Sequence, residues 1–306
     1  MAAGLDTAEG LSAARRGRRI VSGALWRRPW LKALALLSPP LAWFTLIYLA
    51  ALVALFVSAF WTVDPFTSDL VRHWNTGNFR TIFESSAYRS IALRTIGIAA
   101  AVTITDAVLA FPFAYFMARL ATPRSRALLF VLVLLPLWSS YLVRVYAWRL
   151  ILAHDGLLNW SLQKVGLPAA NLAYSNVAVW LVFSYVWLPF MILPVYAALE
   201  RIPDSYIEAS GDLGARGWRT TRAIVLPLAL PGVVAGSIFT FSLTLGDYIT
   251  RTLVGGTCSQ FIGNVVDSSF GVSANVPFAA AFATIPLAVM AVYLLVARRL
   301  GAFEAL

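Results

Sequence analysis

The sequence predicts an all-α integral membrane protein with six transmembrane helices. Of its 306 residues, 60% are hydrophobic and only 12% are charged, whereas about 25% are charged in an ordinary soluble protein. The mean hydropathy is +0.76, and a soluble chain of this length could not bury so much apolar surface. The apolar residues also fall into separate segments, each long enough for the roughly 20 residues that cross a bilayer.

Six segments meet this criterion in chain order. They are residues 34–61, 91–116, 127–152, 177–199, 228–249 and 276–297. A basic segment, residues 1–33, precedes the first span. The apolar run that follows it is far longer than the core of a signal peptide, so we expect a retained first span. A polar link, residues 200–227, separates the fourth and fifth spans.

The distribution of basic residues predicts the orientation of the spans. The N-terminal segment, the second and fourth links and the C-terminal tail hold most of the 24 Lys and Arg residues. All four lie on one side of a six-span arrangement, so the positive-inside rule places both termini in the cytoplasm. A net charge of +10 would suggest nucleic acid as the partner of a soluble protein. Here the basic residues flank apolar runs, so we expect contact with membrane lipid and no nucleic acid.

The sequence offers no sign of a metal or disulfide framework. Cys258 is the single cysteine, so no internal disulfide can form. The sequence shows no His/Cys cluster with metal-ligand spacing. We therefore expect neither a metal site nor a bound cofactor.

The polar link at 200–227 has the signals of a short helix. Pro203 cannot continue the preceding helix and suits the first turn of a new one. Ser205 and Glu208 have the spacing of a capping box. Gly214 falls where a glycine would end the helix. A second helix is expected from about Trp218 into the fifth span.

One face of this short helix has small residues at its centre. Tyr206, Ala209, Ser210 and Leu213 recur at helical spacing. Glu208 and Asp212 lie on the neighbouring flank. A partner protein could approach such a face closely, and the alternative is a solvated helix that only joins two spans.

The spacing of residues in this link carries a family resemblance. Glu208-Ala209-Ser210, three residues, Gly214, nine residues and then Ile224-Val225-Leu226-Pro227 match the EAA-x3-G-x9-I-x-L-P signature. The chain is therefore similar to the permeases of binding-protein-dependent ABC importers. Ser210 stands where the signature has its second alanine.

The resemblance implies a type I ABC importer permease (MetI-like) architecture, with a permease core over residues 91–297. It implies that the short helix sits in a groove of an ATPase subunit. The residues to which it assigns ATPase coupling are Glu208, Ala209, Ser210, Asp212, Leu213, Gly214, Ile224, Leu226 and Pro227.

Two other stretches resemble the spermidine/putrescine permeases. These are residues 134–159 and 241–256, and the resemblance implies a polyamine as the solute. Arg251 stands where proline is expected after the "DYxT" element. Another small solute, such as thiamine, an aminophosphonate or an oxyanion, is the alternative.

Asp247 is the predicted site for a cationic solute. Charges at membrane depth cost roughly 2.5–3.5 kcal/mol and usually face a cavity or a partner. A carboxylate attracts an amine, and aromatic faces nearby add cation–π attraction. The alternative is that Asp247 pairs with Arg144 or Arg251 and only holds helices together. The predicted substrate-path residues are Asp247, Tyr248, Tyr141, Arg144, Trp148 and Trp138.

We expect the chain itself not to be an enzyme. It has no G-x-x-x-x-G-K-[ST] phosphate loop, so ATP is used by a separate subunit. The resemblance implies an ABC ATPase dimer, a second and different permease subunit and a periplasmic substrate-binding protein as partners, in a bacterial inner membrane. An ion-coupled secondary carrier would not need the docking helix. A membrane-embedded enzyme would need convergent catalytic groups, which the sequence does not show.

Overall fold

The computed structural model describes residues 29–64, 66–256 and 260–299. The chain divides into two compact units, residues 1–57 and 58–306. Most of the predicted basic N-terminal segment lies outside the described residues. In the first unit, α1 (Pro29–Trp43) continues through a π-helical segment, Phe44–Leu49, into α2 (Ala50–Ser58). Residues 36–58 form a span candidate with mean hydropathy 2.3.

The second unit begins with a small hairpin and an amphipathic helix. β1 (Thr62–Val63) pairs antiparallel with β2 (Leu70–Val71), and α3 (Gly77–Glu84) follows. The side chain of Asn78 donates hydrogen bonds to the carbonyls of Ala59 and Trp61, at 2.9 and 2.8 Å. One α3 side chain therefore ties α3 to the segment before β1.

The second predicted span is longer in the structure than in the sequence analysis. α4 (Ser86–Tyr115) continues through a second π-helical segment, Phe116–Leu120. Together they form a candidate span of 35 residues. The start at Ser86 extends α4 into the link that precedes it.

The third predicted span, residues 127–152, is not one continuous helix. It is divided into α5 (Pro123–Trp138) and α6 (Tyr141–Leu152), and α7 (Leu157–Lys164) follows. The chain bends by 93° at the break between α5 and α6. At the break, Ser139 (ψ 151°) and Ser140 (ψ 133°) leave the helical conformation. The carbonyl of Pro136 accepts from the amide of Ser139 at 3.2 Å and from its hydroxyl at 2.7 Å, so it is satisfied where the helix ends.

The remaining helices follow in chain order. They are α8 (Asn176–Glu200), α9 (Asp204–Asp212), α10 (Gly217–Thr220), a third π-helical segment (Thr221–Val225), α11 (Leu226–Gly246), α12 (Ile249–Val254), α13 (Ile262–Gly271) and α14 (Val276–Arg299). Across the described residues, 5 helices are long and apolar enough to span a membrane, and up to 6 if α5 to α7 count as one broken span.

α8 is the central helix of the second unit and packs against α4 and α11. The approach of α11 to α8 depends on two glycines at i and i+4. A Cβ atom on Gly232 would lie 2.4 Å from the Cβ atom of Ala198 and 2.6 Å from the carbonyl oxygen of Pro194. A Cβ atom on Gly236 would lie 2.7 Å from the sulfur of Met191. Small residues at this spacing let two membrane helices pack backbone to backbone.

Contacts between helix ends define the relative directions of the helices. Tyr88, near the start of α4, packs against Phe278 and Phe282, near the start of α14. Arg119, just after α4, contacts the carbonyls of Leu199 and Ile202 at the end of α8. α4, α8 and α14 therefore run in the same direction, as the even-numbered spans of a six-span arrangement must.

Candidate functional site

The short helix predicted in the polar link is α9, and it starts differently from the prediction. Pro203 occupies the N-cap position, and no side chain caps the helix there. The predicted capping box of Ser205 and Glu208 is wrong because both residues lie inside the helix. Proline fixes the backbone angle needed at this position, and the carboxylate of Asp204 lies in the first turn, where the helix dipole favours negative charge.

The end of α9 has the geometry that the sequence predicts. Gly214 has φ +76°, a conformation that glycine adopts without a steric penalty. Its amide donates to the carbonyl of Gly211 at 2.8 Å, and the amide of Ala215 donates to the carbonyl of Ser210 at 3.0 Å. These two bonds form a Schellman motif. The helix therefore ends in a defined turn and not in a frayed loop.

Ser210 does not face outward, contrary to the expectation of a shared partner-facing surface. It is buried, and its hydroxyl forms a hydrogen bond with the hydroxyl of Thr220 in α10 at 2.9 Å. Ala209 is exposed, and Leu213 is 88% exposed. The residue that departs from the alanine signature thus joins α9 to α10, while its neighbours form the outer surface.

A concave surface lies between α9 and the segment that leads into α11. Its volume is about 550 Å³. Half-buried Ile224 contributes to its wall, whereas Leu226 is exposed and Pro227 lies in the first turn of α11. The lining residues are Tyr206, Ala209, Ser210, Leu213, Ala215, Arg219, Ala223 and Ile224. The mixture of apolar walls and one guanidinium suits a protein surface more than a small charged ligand.

Two arginines, Arg119 and Arg126, hold together the helix ends beside α9, and the sequence analysis used the basic residues of the second link only for membrane orientation. Arg119 forms an ion pair with Asp204. Arg126 donates to the carbonyls of Met117 and Ala118, both at 3.0 Å. Their position in a tight basic turn was visible in the sequence, but the partners on α8 and α9 are distant in the chain.

A second polar cluster forms where α11 ends. Asp247 follows α11 in extended conformation, and its carboxylate accepts from the amide of Thr250 at 2.8 Å. The hydroxyl of Tyr141 in α6 donates to the other carboxylate oxygen of Asp247 and also bonds the hydroxyl of Thr250. The ring of Tyr141 stacks on Trp187 of α8, with centroids 5.6 Å apart. The Asp247 cluster (Tyr141, Trp187, Asp247 and Thr250) thus joins α6, α8 and α11.

The other predicted path residues lie outside these hydrogen bonds. Trp148 packs its ring against Tyr185 at 5.4 Å. Tyr248 is exposed, and Trp138, at the end of α5, is 86% exposed. Among the described residues, Arg144 forms no ion pair with Asp247, and its Nε and Nη1 atoms are buried without a hydrogen-bond partner. The predicted alternative of an Asp247–Arg144 pair is therefore wrong.

Asp106 is a buried carboxyl group in the middle of α4. Its side chain is fully buried, and the hydroxyl of Ser184 on α8 faces its carboxyl group. In the described part of the chain neither group forms a hydrogen bond of full geometry. Buried polar groups are costly unless they are satisfied, so Asp106 and Ser184 are best placed to satisfy each other across the α4–α8 contact.

The amino-acid sequence of this chain is similar to those of known proteins. Residues 103–302 match the family described as "Binding-protein-dependent transport system inner membrane component". The chain is 48% identical to the inner membrane ABC transporter permease protein YdcU of Escherichia coli strain K12, over 96% of this chain and 98% of that one. It is 34% identical to the spermidine/putrescine transport system permease protein PotB of Haemophilus influenzae, over 67% of this chain and 71% of that one.

Solved structures show the same fold. A chain of a bacterial alginate ABC transporter, in complex with an alginate pentasaccharide-bound periplasmic protein, superposes with a TM-score of 0.74 at 17% identity, over 91% of this chain and 96% of that one. A chain of the MetNI methionine ABC transporter in an inward-facing conformation gives 0.53 at 16% identity, over 72% of this chain and 99% of that one. The fold is that of type I ABC importer permeases. With the match over residues 103–302, the chain belongs to the family of binding-protein-dependent transport system inner membrane components and is a permease subunit of an ABC importer.

Proposed function

We propose that this permease subunit forms half of the path by which a polyamine, such as spermidine or putrescine, enters the cell. In this proposal a periplasmic binding protein delivers the solute, and a second, different permease chain forms the other half of the path. A dimer of ATPase subunits hydrolyses ATP, so this chain binds no cofactor and catalyses no reaction. Both termini lie in the cytoplasm, on the side of the basic links.

The docking part of the proposal assigns α9 to the ATPase. α9 ends in the defined Gly214 turn and is fixed to α10 by the Ser210–Thr220 bond. Leu213 and Tyr206 remain exposed beside the concave surface. A rigid helix with exposed apolar side chains at one end can bind to the ATPase subunit and move with it as a rigid body. A tyrosine such as Tyr206, buried in a pocket of the partner, is a common energetic centre of an interface.

The test of docking uses two glycines of the same link. Gly214→Val places a β-branched residue at φ +76°, which costs about 1–2 kcal/mol or more. Gly211→Ala is the matched control, because Gly211 is helical and a Cβ atom there meets nothing within 4 Å. In proteoliposomes with the whole transporter, Gly214→Val should hydrolyse ATP with little solute uptake, while Gly211→Ala behaves as wild type. Fully coupled uptake by the valine variant would contradict docking through α9.

The polyamine assignment rests on the relatives named for spermidine and putrescine, at 33–34% identity over about two thirds of the chain. The relative at 48% identity has no solute in its name. The Asp247 cluster supports a cationic solute, because a carboxylate lies beside the half-buried aromatic ring of Tyr141. A polyamine ammonium can take up remaining acceptor positions of the Asp247 carboxylate, which offers about four lone-pair sites.

One observation favours a second candidate, a solute that carries an anionic group. Nε and Nη1 of Arg144 are buried and lack a partner among the described residues. Arg144 lies one helical turn from Tyr141 in α6. An unpaired guanidinium is the usual recognition group for carboxylates and phosphates, so an aminophosphonate or an oxyanion would satisfy it, whereas a polycation would not.

Uptake measurements distinguish the two candidates. Reconstituted transporter with its binding protein is offered radiolabelled putrescine, spermidine, phosphate and an aminophosphonate, with and without ATP. Asp247→Asn should lower polyamine uptake while Arg144→Gln leaves it nearly unchanged. The second candidate predicts uptake of phosphate or the aminophosphonate that Arg144→Gln lowers and Asp247→Asn leaves nearly unchanged. Uptake without any ATPase subunit would instead indicate an ion-coupled carrier.

A further inference from the structure

The guanidinium of Arg119 joins three helices at the base of α9. It is carried by the π-helical segment Phe116–Leu120 that ends α4. One nitrogen pairs with the carboxylate of Asp204 in the first turn of α9. The other donates to the carbonyl of Leu199, near the end of α8, at 2.7 Å and to the carbonyl of Ile202 in the link between α8 and α9.

These partners lie at the end of α8, where the last carbonyls have no partner within the helix. The carbonyl of Leu199 accepts from the amide of Ile202 only at 3.4 Å, and the guanidinium adds a shorter bond of 2.7 Å. The planar fork of arginine can bind carbonyls and a carboxylate at the same time, which a lysine ammonium does with less geometric definition. The Arg119 side chain is only 11% exposed, so its bonds are screened less by water than those of a surface pair.

The segment that carries Arg119 is itself held in place. Arg126, in the first turn of α5, donates two hydrogen bonds to the carbonyls of Met117 and Ala118. A third nitrogen of Arg126 lies 3.8 Å from the carboxylate of Glu200. The end of α4 is therefore fixed to both α5 and α8. A displacement of Arg119 would accordingly move the ends of these helices together.

We propose that Arg119 is the positioning residue that transmits movement of α9 to α4 and α8. This inference rests on the proposed function of α9 as the helix that docks on the ATPase. Without Arg119, the ion pair to Asp204 is lost, and the link at residues 201–203 is what connects α9 to α8 along the chain. With it, a displacement of Asp204 acts directly on the end of α4, which forms the core of the second unit together with α8.

Orientation in the membrane does not explain this geometry. Arg124 lies in the same basic turn and contributes the same charge to the positive-inside pattern. It is exposed and makes no side-chain hydrogen bond or ion pair within the ranges that the structure describes. Arg124 is therefore the matched control for charge without contact.

The experiment measures solute molecules imported per ATP hydrolysed by the complete transporter in proteoliposomes. Asp204→Asn removes the ion pair and leaves the carbonyl contacts of Arg119 intact, so the ratio should fall about two- to fivefold, as expected for loss of a partly exposed pair. Arg119→Lys keeps the charge but loses the fork, so a larger fall, about tenfold, is expected. Arg124→Ala should keep the wild-type ratio.

A purely structural role gives a different result. In that case Arg119→Lys lowers the amount of assembled transporter, while the surviving complexes and the Asp204→Asn variant keep the wild-type ratio, and the proposal is overturned. Gly214→Val in the same assay separates the two proposals. If it uncouples and the Arg119 and Asp204 variants do not, only the inference about Arg119 fails. If it stays coupled, the docking role of α9 fails as well. Should Arg119→Lys not assemble, Asp204→Asn alone decides.

Discussion

Replacement of Gly232 by alanine should push α11 away from α8. The new Cβ atom would lie 2.4 Å from the Cβ atom of Ala198 and 2.6 Å from the carbonyl oxygen of Pro194. Ordinary carbon–carbon contacts are about 3.5–4.0 Å, so the helices must separate by about 1 Å at this point. The Pro194 carbonyl belongs to the backbone and cannot move aside as a flexible side chain can.

The expected cost is the overpacking penalty less the gain in helix propensity. Overpacking costs typically about 1–3 kcal/mol, and alanine is better than glycine in a helix by about 0.8–1.0 kcal/mol. Because one obstacle is the backbone of Pro194, the overpacking cost lies at the upper end of its range, and the net destabilisation of Gly232→Ala is about 2 kcal/mol. For a unit of this size the melting temperature falls by about 2–4 °C per kcal/mol, so a drop of about 4–8 °C is expected.

The assay is a tryptophan-fluorescence melt of the purified chain in detergent, repeated in lipid nanodiscs. Gly97→Ala is the matched control, because Gly97 lies inside α4 and a Cβ atom there meets nothing within 4 Å. It should melt at or slightly above the wild-type temperature. Gly236→Ala should fall between the two, since its nearest obstacle is the flexible sulfur of Met191 at 2.7 Å. If Gly232→Ala and Gly97→Ala have the same melting temperature, the close α8–α11 contact is refuted.

Three other changes test single contacts. Ser210→Ala removes the bond to Thr220 and should cost about 0.5–1.5 kcal/mol; hydrogen exchange of α9 should speed up while uptake persists, and unchanged exchange would argue against the bond. Asn159→Ala removes three hydrogen bonds, from the amide of Ala170 and to the carbonyls of Ala153 and His154, and should lower the melting temperature by several degrees; an unchanged melting temperature would contradict this. Tyr141→Phe removes the donor to Asp247 and should reduce uptake at unchanged assembly; an unaltered rate would remove Tyr141 from the path.

The sequence predicted the spans best where the helices are straight and apolar. The fourth predicted span, residues 177–199, differs from α8 by one residue at each end. Hydropathy reports burial in lipid but not direction, so it gave no sign of the 93° bend after α5. The bend lies at Ser139 and Ser140, whose backbone is extended, and a break of two residues leaves the average hydropathy of residues 127–152 almost unchanged.

The sequence predicted only part of the candidate site, because it shows local conformational signals but not contacts between residues that are distant in the chain. The turn at Gly214 could be read from one residue type, because the left-handed conformation needs glycine. The inward direction of Ser210 could not, since it depends on Thr220, ten residues away, across a turn. Arg119 and Asp204 are 85 residues apart. Their pairing depends on how α4 and α8 align, and no local pattern carries that information.

The length of α5 limits how this subunit meets the bilayer. Its 16 residues rise about 24 Å at 1.5 Å per residue, several ångströms less than the roughly 30 Å of a typical hydrocarbon core. Ser139 and Ser140, where the helix stops, are exposed, and irregular backbone inside a hydrocarbon core is tolerated only beside protein or water. With α5 beginning at one edge of the core, a neighbouring chain or a hydrated recess would have to keep lipid tails away from these serines, so one copy of the subunit would not by itself present a sealed hydrophobic belt.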